Sequence, residues 1–302
     1  MSEDTEVLIA GAGPTGLALA LWLTKLGVGV RIIDAAPRRV DTSRALAVHA
    51  RTLELYDLMG LTSDLLKQGV KFKSLRLWAG GRQRAKADFG DMGKGLSPYP
   101  FALIYPQDDH ERWLGERLAD LGVNIERPLA LAGLTASEAG VEATLTGPGG
   151  DKAVARAAYA VGCDGAHSVV RHEIGGGFPG GTYSRLFYVA DVEASGPVVN
   201  GDLNVALDEA GFLAVFPLSG QGRIRLIGDT TADADGEVRF EDIGHAVADH
   251  LGIEFKSVRW FSNYRVHHRV ADRWRCGRLF LAGDAAHLHS PVGGQGMNTG
   301  IG

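Results

Sequence analysis

Residues 6–34 read EVLIAGAGPTGLALALWLTKLGVGVRIID. Glu6 to Ala10 is a short apolar run of β-formers, and Gly11, Gly13 and Gly16 follow it in G-x-G-x-x-G spacing with Pro14 inside the turn. Leu17 to Leu26 then has a helical pattern, Gly27 suits a helix C-terminus, and Val28 to Ile33 is a second strand. This order predicts a βαβ unit. Its first glycine permits a tight turn and its second lets backbone approach a diphosphate. The third lets helix and strand pack closely, and the diphosphate meets the helix N-terminus. Asp34 closes the second strand, where a carboxylate accepts from ribose hydroxyls and disfavours a 2′-phosphate. The segment therefore predicts dinucleotide binding without separating FAD from NAD.

Bulk properties narrow the classes. Lys and Arg number 31 against 36 Asp and Glu, a net charge of -5, so there is no broad basic surface for nucleic acid. The two cysteines, Cys163 and Cys276, lack C-x-x-C spacing, which argues against a disulfide framework and against zinc and fits a reducing cytoplasm. The opening MSEDTEVLIAGAGPTG is acidic and its apolar runs are broken by glycines, so neither a signal peptide nor a membrane span is read. A soluble, cytoplasmic chain is expected.

Further along, Thr42 to Leu46 carries Arg44, and Ala50 to Met59 places Leu53, Leu55, Leu58 and Met59 at helical spacing before Gly60. A shorter helix is expected near Ser63 to Lys67. Ser74–Ala79 and Arg82–Phe89 flank Gly80 and Gly81 as a hairpin, and Pro98 to Pro106 is read as a strand. Gln107 to Leu121 is amphipathic, with Trp113, Leu114, Leu118 and Leu121 on one face and acids in its first turn. From Asn124 to Val161 short strands are expected, with Gly147 to Asp151 as a hairpin turn and not a phosphate loop. Tyr183 to Arg269 reads mostly as strands, with one helix near Phe240 to Leu251. No second βαβ fingerprint occurs, so a nicotinamide, if used, binds transiently and outside a dedicated domain.

Two more glycine clusters carry chemistry. Tyr159 to Arg171 reads YAVGCDGAHSVVR, and Arg278 to Ile301 reads RLFLAGDAAHLHSPVGGQGMNTGI. In each, a strand runs into an aspartate and then a helix, with Ser168 and Arg171 near the start of the first helix. An aspartate at a strand end accepts from polyol hydroxyls, and glycine-rich backbone at a helix start offers N–H groups to phosphate or a ring edge. Taken in order, the three motifs resemble the class A flavoprotein monooxygenases. That is the fold family of para-hydroxybenzoate hydroxylase, and the likeness is nearest to its phenol-hydroxylase-like and polyketide-hydroxylase branches. It runs from Glu6 to the end of the chain.

The resemblance implies an α/β fold with an α+β substrate part: a Rossmann-like FAD-binding domain interleaved with a mostly antiparallel β-sheet substrate domain. The expected segments are 1–75, 106–180 and 271–302 for FAD, with 76–105 and 181–270 for substrate. Gly11, Gly13, Pro14, Gly16 and Asp34 would hold the ADP half, and Asp164 would lie near the diphosphate. Asp284 would bind the ribitol, Pro291, Gly294, Gly296, Met297 and Asn298 would line the isoalloxazine, and Arg44 and Gln107 would add flavin contacts. His49, Phe216 and Pro217 are expected at the substrate pocket, the latter two within the FLAVFPL run. In this family NAD(P)H reduces the flavin, O2 adds to form a C4a-hydroperoxyflavin, and the distal oxygen passes to an electron-rich aromatic substrate. No protein nucleophile is required, so no catalytic residue is assigned. Family members continue past the helix cut at Ile301-Gly302, so a C-terminally truncated product is expected; a homodimer is compatible with the family.

Simpler readings stand beside these. Asp164 and Asp284 can cap the helices that follow them. His287 and His289 look like a metal pair, but no third ligand lies nearby in sequence. Trp260 and Trp274 suit packing, His49 and Arg51 suit helix-start hydrogen bonds, and His267 and His268 point to opposite faces of a strand. Alternatives at the level of the whole chain are a noncatalytic or uncoupled FAD-binding fragment and another flavin enzyme on the same scaffold. Of the latter, a halogenase lacks support because no W-x-W-x-I-P segment occurs.

Overall fold

The computed structural model describes residues 5–39, 43–88, 93–208, 211–230 and 238–302. Thr42 and Phe89, named in the expectations above, lie outside them. The chain divides into two compact units, Met1–Ala45, Pro106–Gly181 and His267–Gly302 forming one, and Leu46–Tyr105 with Thr182–Val266 forming the other.

In the first unit the strand Thr5–Ala10 pairs in parallel with Val30–Ile33 on one side and Lys152–Gly162 on the other. Ile125–Glu126 extends the sheet beyond Val30–Ile33, and Leu279–Leu281 extends it beyond Lys152–Gly162, both in parallel. Leu8 and Ile9 are buried on opposite faces of their strand, which is why VLIA runs apolar without alternation. Each such side chain stabilises the fold by roughly 1.5–3 kcal/mol. The helix Pro14–Lys25 has proline in its first turn and lysine in its last, suited to its dipole, and buries Leu17, Ala18, Ala20 and Leu21. A hairpin of Ala130–Ala136 and Val141–Thr146 joins the long strand Lys152–Gly162 in antiparallel fashion.

Register matters more to function than element count. Ala10 lies opposite both Gly162 and Ile33, Gly162 opposite Leu281, and Ile33 opposite Glu126. The carboxyl ends of these strands therefore form one line, and the residues that follow them emerge side by side. In parallel sheets, ligands bind along such an edge.

The second unit is built on antiparallel strands. Glu254–Val270, Gly180–Ser195, Arg223–Thr230, Gly211–Pro217 and Leu203–Asp208 neighbour one another in that order, and Ser74–Ala79 with Arg82–Asp88 completes the sheet. One junction, Leu203–Asp208 against Ser74–Ala79, is parallel. Gly80 and Gly81 form the two-residue turn between the last two strands, as expected. Tyr188, Val192, Val215 and Leu226 pack with Phe240 and Val247 of the helix Phe240–Leu251. A second cluster gathers Leu46, Ile104, Val189, Leu218 and Ile227, with Phe216, Trp260 and Tyr264 packed against it.

Several details depart from the sequence expectations. Of Pro98–Pro106 only Leu103–Ile104 is a strand, because prolines at 98, 100 and 106 supply no backbone donor. Residues 46–75 belong to the second unit: Ala47–Val48 and Val70–Lys71 both pair with Leu103–Ile104 in a small sheet. In the helix Ala50–Leu58 the buried stripe is Thr52, Leu53 and Tyr56, while Leu58 is exposed. In Gln107–Asp120 it is His110, Trp113, Leu114 and Leu118, and Leu121 is exposed just beyond the helix.

Candidate cofactor site

All three glycine motifs begin on the strand-end line of the first unit. Gly11 follows Ala10 with φ of 102°, a conformation that glycine adopts at no steric cost. A Cβ on Gly11 would stand 2.2 Å from the carbonyl oxygen of Cys163, and one on Gly16 would stand 2.0 Å from that of Gly11. These two glycines thus let the turn, the helix and the Cys163-Asp164 segment touch. Gly13 is different. Its φ is -77° and a Cβ there would meet nothing within 4 Å, so neither backbone nor packing demands glycine. The same holds for Gly296, with nothing within 4 Å. A glycine kept where a side chain would fit leaves room for a ligand to approach the main chain.

The third motif is locked against the first through Thr15. A Cβ on Gly283 would stand 2.5 Å from Oγ1 of Thr15, and one on Gly300 would stand 2.6 Å from it. Arg171 locks the third motif to the second. Its Nη1 donates to the carbonyl oxygen of Ala285 at 3.0 Å and its Nη2 to that of Ala166 at 2.6 Å. Ser168 caps the helix Val169–Ile174 by accepting from the Arg171 amide at 3.0 Å.

The acidic residues behave unequally. Asp34 accepts from the amides of Ala12 at 2.7 Å and Ala36 at 2.8 Å, and Nη1 of Arg127 lies 3.3 Å away. Its carboxylate is therefore fixed at the strand end. Arg127, which follows Glu126 on the same line and also donates to the carbonyl oxygen of Ala12 at 3.3 Å, was not singled out by the sequence reading. Asp164 accepts from the Val169 amide through Oδ2 at 2.7 Å, which realises the capping role for one oxygen. The other oxygen, Oδ1, is buried without a hydrogen-bond partner, and an orphaned acceptor at this edge fits a ligand hydroxyl or amide. Asp284 opens to solvent, yet surrounding protein pushes its carboxyl above the usual range, with His289 opposing the rise.

The remaining expected residues divide between the units. Arg44, Gln107, Pro291, Gly294, Met297 and Asn298 lie in the first unit. Gln107 donates from Nε2 to Glu111 at 2.8 Å, and Asn298 donates to the carbonyl oxygen of Gly294 at 2.7 Å, fixing the turn in which Gly293 and Gly294 both have positive φ. His49, Phe216 and Pro217 lie in the second unit. His49 occupies the N-cap position of Ala50–Leu58 without a side-chain cap bond, Phe216 packs against the Leu46 cluster, and Pro217 is buried. The rings of His287 and His289 stand 4.8 Å apart beside Trp274, and no group of three metal-ligating side chains occurs among the described residues.

Comparison with known proteins bears on this geometry. The family model described as FAD binding domain matches residues 4–302. A 6-methylpretetramide 4-monooxygenase from Streptomyces rimosus is 37% identical over 304 residues, covering 99% of this chain and 54% of the relative. A flavin-dependent monooxygenase from Mycobacteroides abscessus is 34% identical over 310 residues, covering 98% and 64%. The crystal structure of p-nitrophenol 4-monooxygenase from Pseudomonas putida DLL-E4 superposes with a TM-score of 0.87 at 28% identity, covering 99% of this chain and 77% of that one. The chain thus spans between half and two thirds of the length of these two curated relatives.

Proposed function

The chain belongs to the FAD binding domain family of flavoprotein monooxygenases, and from that premise we propose that it serves the hydroxylation of a phenolic or polyketide-like aromatic substrate. The overall reaction consumes O2, NAD(P)H and a proton, places one oxygen atom on the ring and releases the other as water. The observation that carries the reading is convergence: Gly11, Asp34, Asp164 and Asp284 all follow strands that end on one line of one sheet.

FAD fits the residues present. The open flank of Gly13 suits the diphosphate, Asp34 the adenosine ribose, the orphaned Oδ1 of Asp164 a donor near the diphosphate, and Asp284 the ribitol. When bound, FAD supplies the two-electron redox chemistry and the site at which O2 is activated. This chain's residues bind and orient. The Asp284 carboxylate can accept from polyol hydroxyls. In the second unit, Phe216, Trp260 and Tyr264 each pack against one apolar cluster, and such rings suit a flat substrate and the exclusion of water from it. On this reading the first unit is the cofactor domain and the second the substrate domain. Two free cysteines fit a reducing cytoplasm, and no helix among the described residues is long and apolar enough to cross a membrane.

The test is to load the purified chain with FAD and follow NADPH oxidation with and without a panel of phenols, naphthols and anthraquinones. Stimulation by a member of the panel, with oxygen incorporated into it, is expected. Phe216→Ala should raise the KM for that substrate while leaving FAD retention unchanged. FAD-loaded chain whose NADPH use no aromatic compound stimulates would remove hydroxylation from the account.

A further inference from the structure

Residues 267–278 read HHRVADRWRCGR and hold four arginines against one aspartate, in a chain whose net charge is -5. None of the four, Arg269, Arg273, Arg275 and Arg278, forms an ion pair among the described residues. Elsewhere Arg31, Arg76, Arg127, Arg156, Arg225 and Arg259 each face a carboxylate. Arg278 donates to the carbonyl oxygens of Ala158 and Glu138, Arg269 to that of Phe178 and Arg275 to that of Gly277. These bonds hold the side chains and leave their charge uncancelled. Arg273 is exposed and makes no side-chain hydrogen bond among the described residues. Between Arg273 and Arg275 stands Trp274, a large aromatic that is 48% exposed. Its indole Nε1 donates to the carbonyl oxygen of Ala271 at 3.1 Å, and its own carbonyl accepts from the Leu281 amide at 2.9 Å. The residue is thereby fixed beside the end of the strand that leads to Asp284. Its ring lies 5.4 Å from that of His287, which in turn lies 4.8 Å from that of the exposed His289. A row of three rings thus runs from the arginines into the third glycine motif.

We propose that this strip is the docking site of NAD(P)H, with one ring of the dinucleotide stacked on Trp274 and its phosphates met by Arg273 and Arg275. The inference rests on the hydroxylase reading, which consumes that reductant, and gives it a place that a sequence with one βαβ fingerprint does not announce.

Chemistry supports it first. The dinucleotide carries a flat ring system at each end and a diphosphate between them. An exposed indole stacks on a ring face, and guanidinium groups pair with phosphate oxygens through parallel N–H donors. Charge supports it second. Uncancelled positive groups gathered on an acidic chain draw an anionic ligand to that place and not to the rest of the surface. Position supports it third. The row of rings ends at His289, two residues before Pro291, which the flavin reading places beside the isoalloxazine. An exposed strip of this kind holds a ligand reversibly, as a reductant that departs after each turnover requires.

The test uses the FAD-loaded full chain and two probes: NADP+ in isothermal titration calorimetry, because it binds without reducing the flavin, and NADPH in anaerobic stopped-flow bleaching of the flavin absorption. Arg273→Glu and Trp274→Ala should each weaken NADP+ about tenfold or more and raise the half-saturating NADPH concentration by the same factor, with the limiting bleaching rate and FAD retention unchanged. Trp274→Phe, which keeps a ring, should fall between. The Arg273 side chain is exposed and unpaired, so its variant folds as the parent does and decides the matter even where Trp274→Ala does not fold. Arg84→Glu reverses an exposed charge in the second unit and should bind NADP+ like the parent. An equal loss in that variant, or unchanged NADP+ affinity in Arg273→Glu, would overturn the docking site and leave the hydroxylase reading standing. An FAD-loaded parent that binds no NADP+ and is not bleached by NADPH would overturn both.

Discussion

Arg171 donates from Nη1 to the carbonyl oxygen of Ala285 at 3.0 Å, across 114 positions of the chain. Its guanidinium also lies 4.0 Å from the centre of the Phe178 ring and is almost wholly buried. This side chain is the strut that holds the Asp164 segment to the Asp284 segment. Arg171→Met removes two charge-assisted bonds and strands two carbonyl oxygens, so a loss of roughly 3 kcal/mol is expected in urea unfolding. FAD affinity should fall with it. Arg171→Lys should recover part of both; equal losses in the two variants would mean that packing alone, and not hydrogen bonding, sets the spacing.

Gly283 has φ of 61°, and the position its Cβ would take is 2.5 Å from Oγ1 of Thr15. Gly283→Ala should therefore destabilise by about 1–2 kcal/mol from the backbone alone, and by more from the clash. Thr15→Ala should relieve some of the clash in the double variant. Strict additivity of the two substitutions in thermal unfolding would show that the contact carries no weight.

Asp284 separates binding from stability. Although Asp284 opens to solvent, desolvation by the surrounding protein raises its folded-state pKa, with His289 opposing, so any stability linked to its protonation is present at low pH and is lost as pH rises through the folded value. Asp284→Asn is expected to hold or raise the melting temperature at pH 7 while weakening FAD about tenfold or more. A variant that loses stability and keeps its FAD affinity would contradict the assigned role.

His110 works in the opposite sense. It is fully buried, and burial pushes its pKa down to about 3 from 6.5. The unfolded chain therefore binds a proton that the folded chain refuses. Stability falls as pH drops from about 6.5 toward 3, by up to ~1.4 kcal/mol per pH unit from this side chain. Urea midpoints at pH 7 and pH 5 should differ less in His110→Asn than in the parent. An identical difference would show that His110 titrates normally.

How far the sequence could be read follows from the range of the interactions involved. Gly11, Gly13 and Gly16 were legible because the turn, the helix and the strands that give them meaning are neighbours in the chain. Asp34 was legible for the same reason. Arg127 was not: its partnership with Asp34 depends on Ile125–Glu126 pairing beside Val30–Ile33, which no local pattern announces. The exposure of Leu58 and Leu121 shows another limit, since periodicity marks which residues share a helix face but not how far the opposing surface reaches. Residues 46–75 joined the second unit through two-residue strands too short to leave a signature.

The central claim is that the three motifs on one sheet edge hold one flavin. It is tested most directly by desalting the purified chain after incubation with FAD and recording its visible spectrum beside that of a chain carrying Asp34→Ala, Asp164→Ala and Asp284→Ala together. The account predicts stoichiometric flavin on the parent, with absorption bands altered from those of free FAD, and none on the triple variant. A colourless parent, or a folded triple variant that retains as much flavin as the parent, would contradict it.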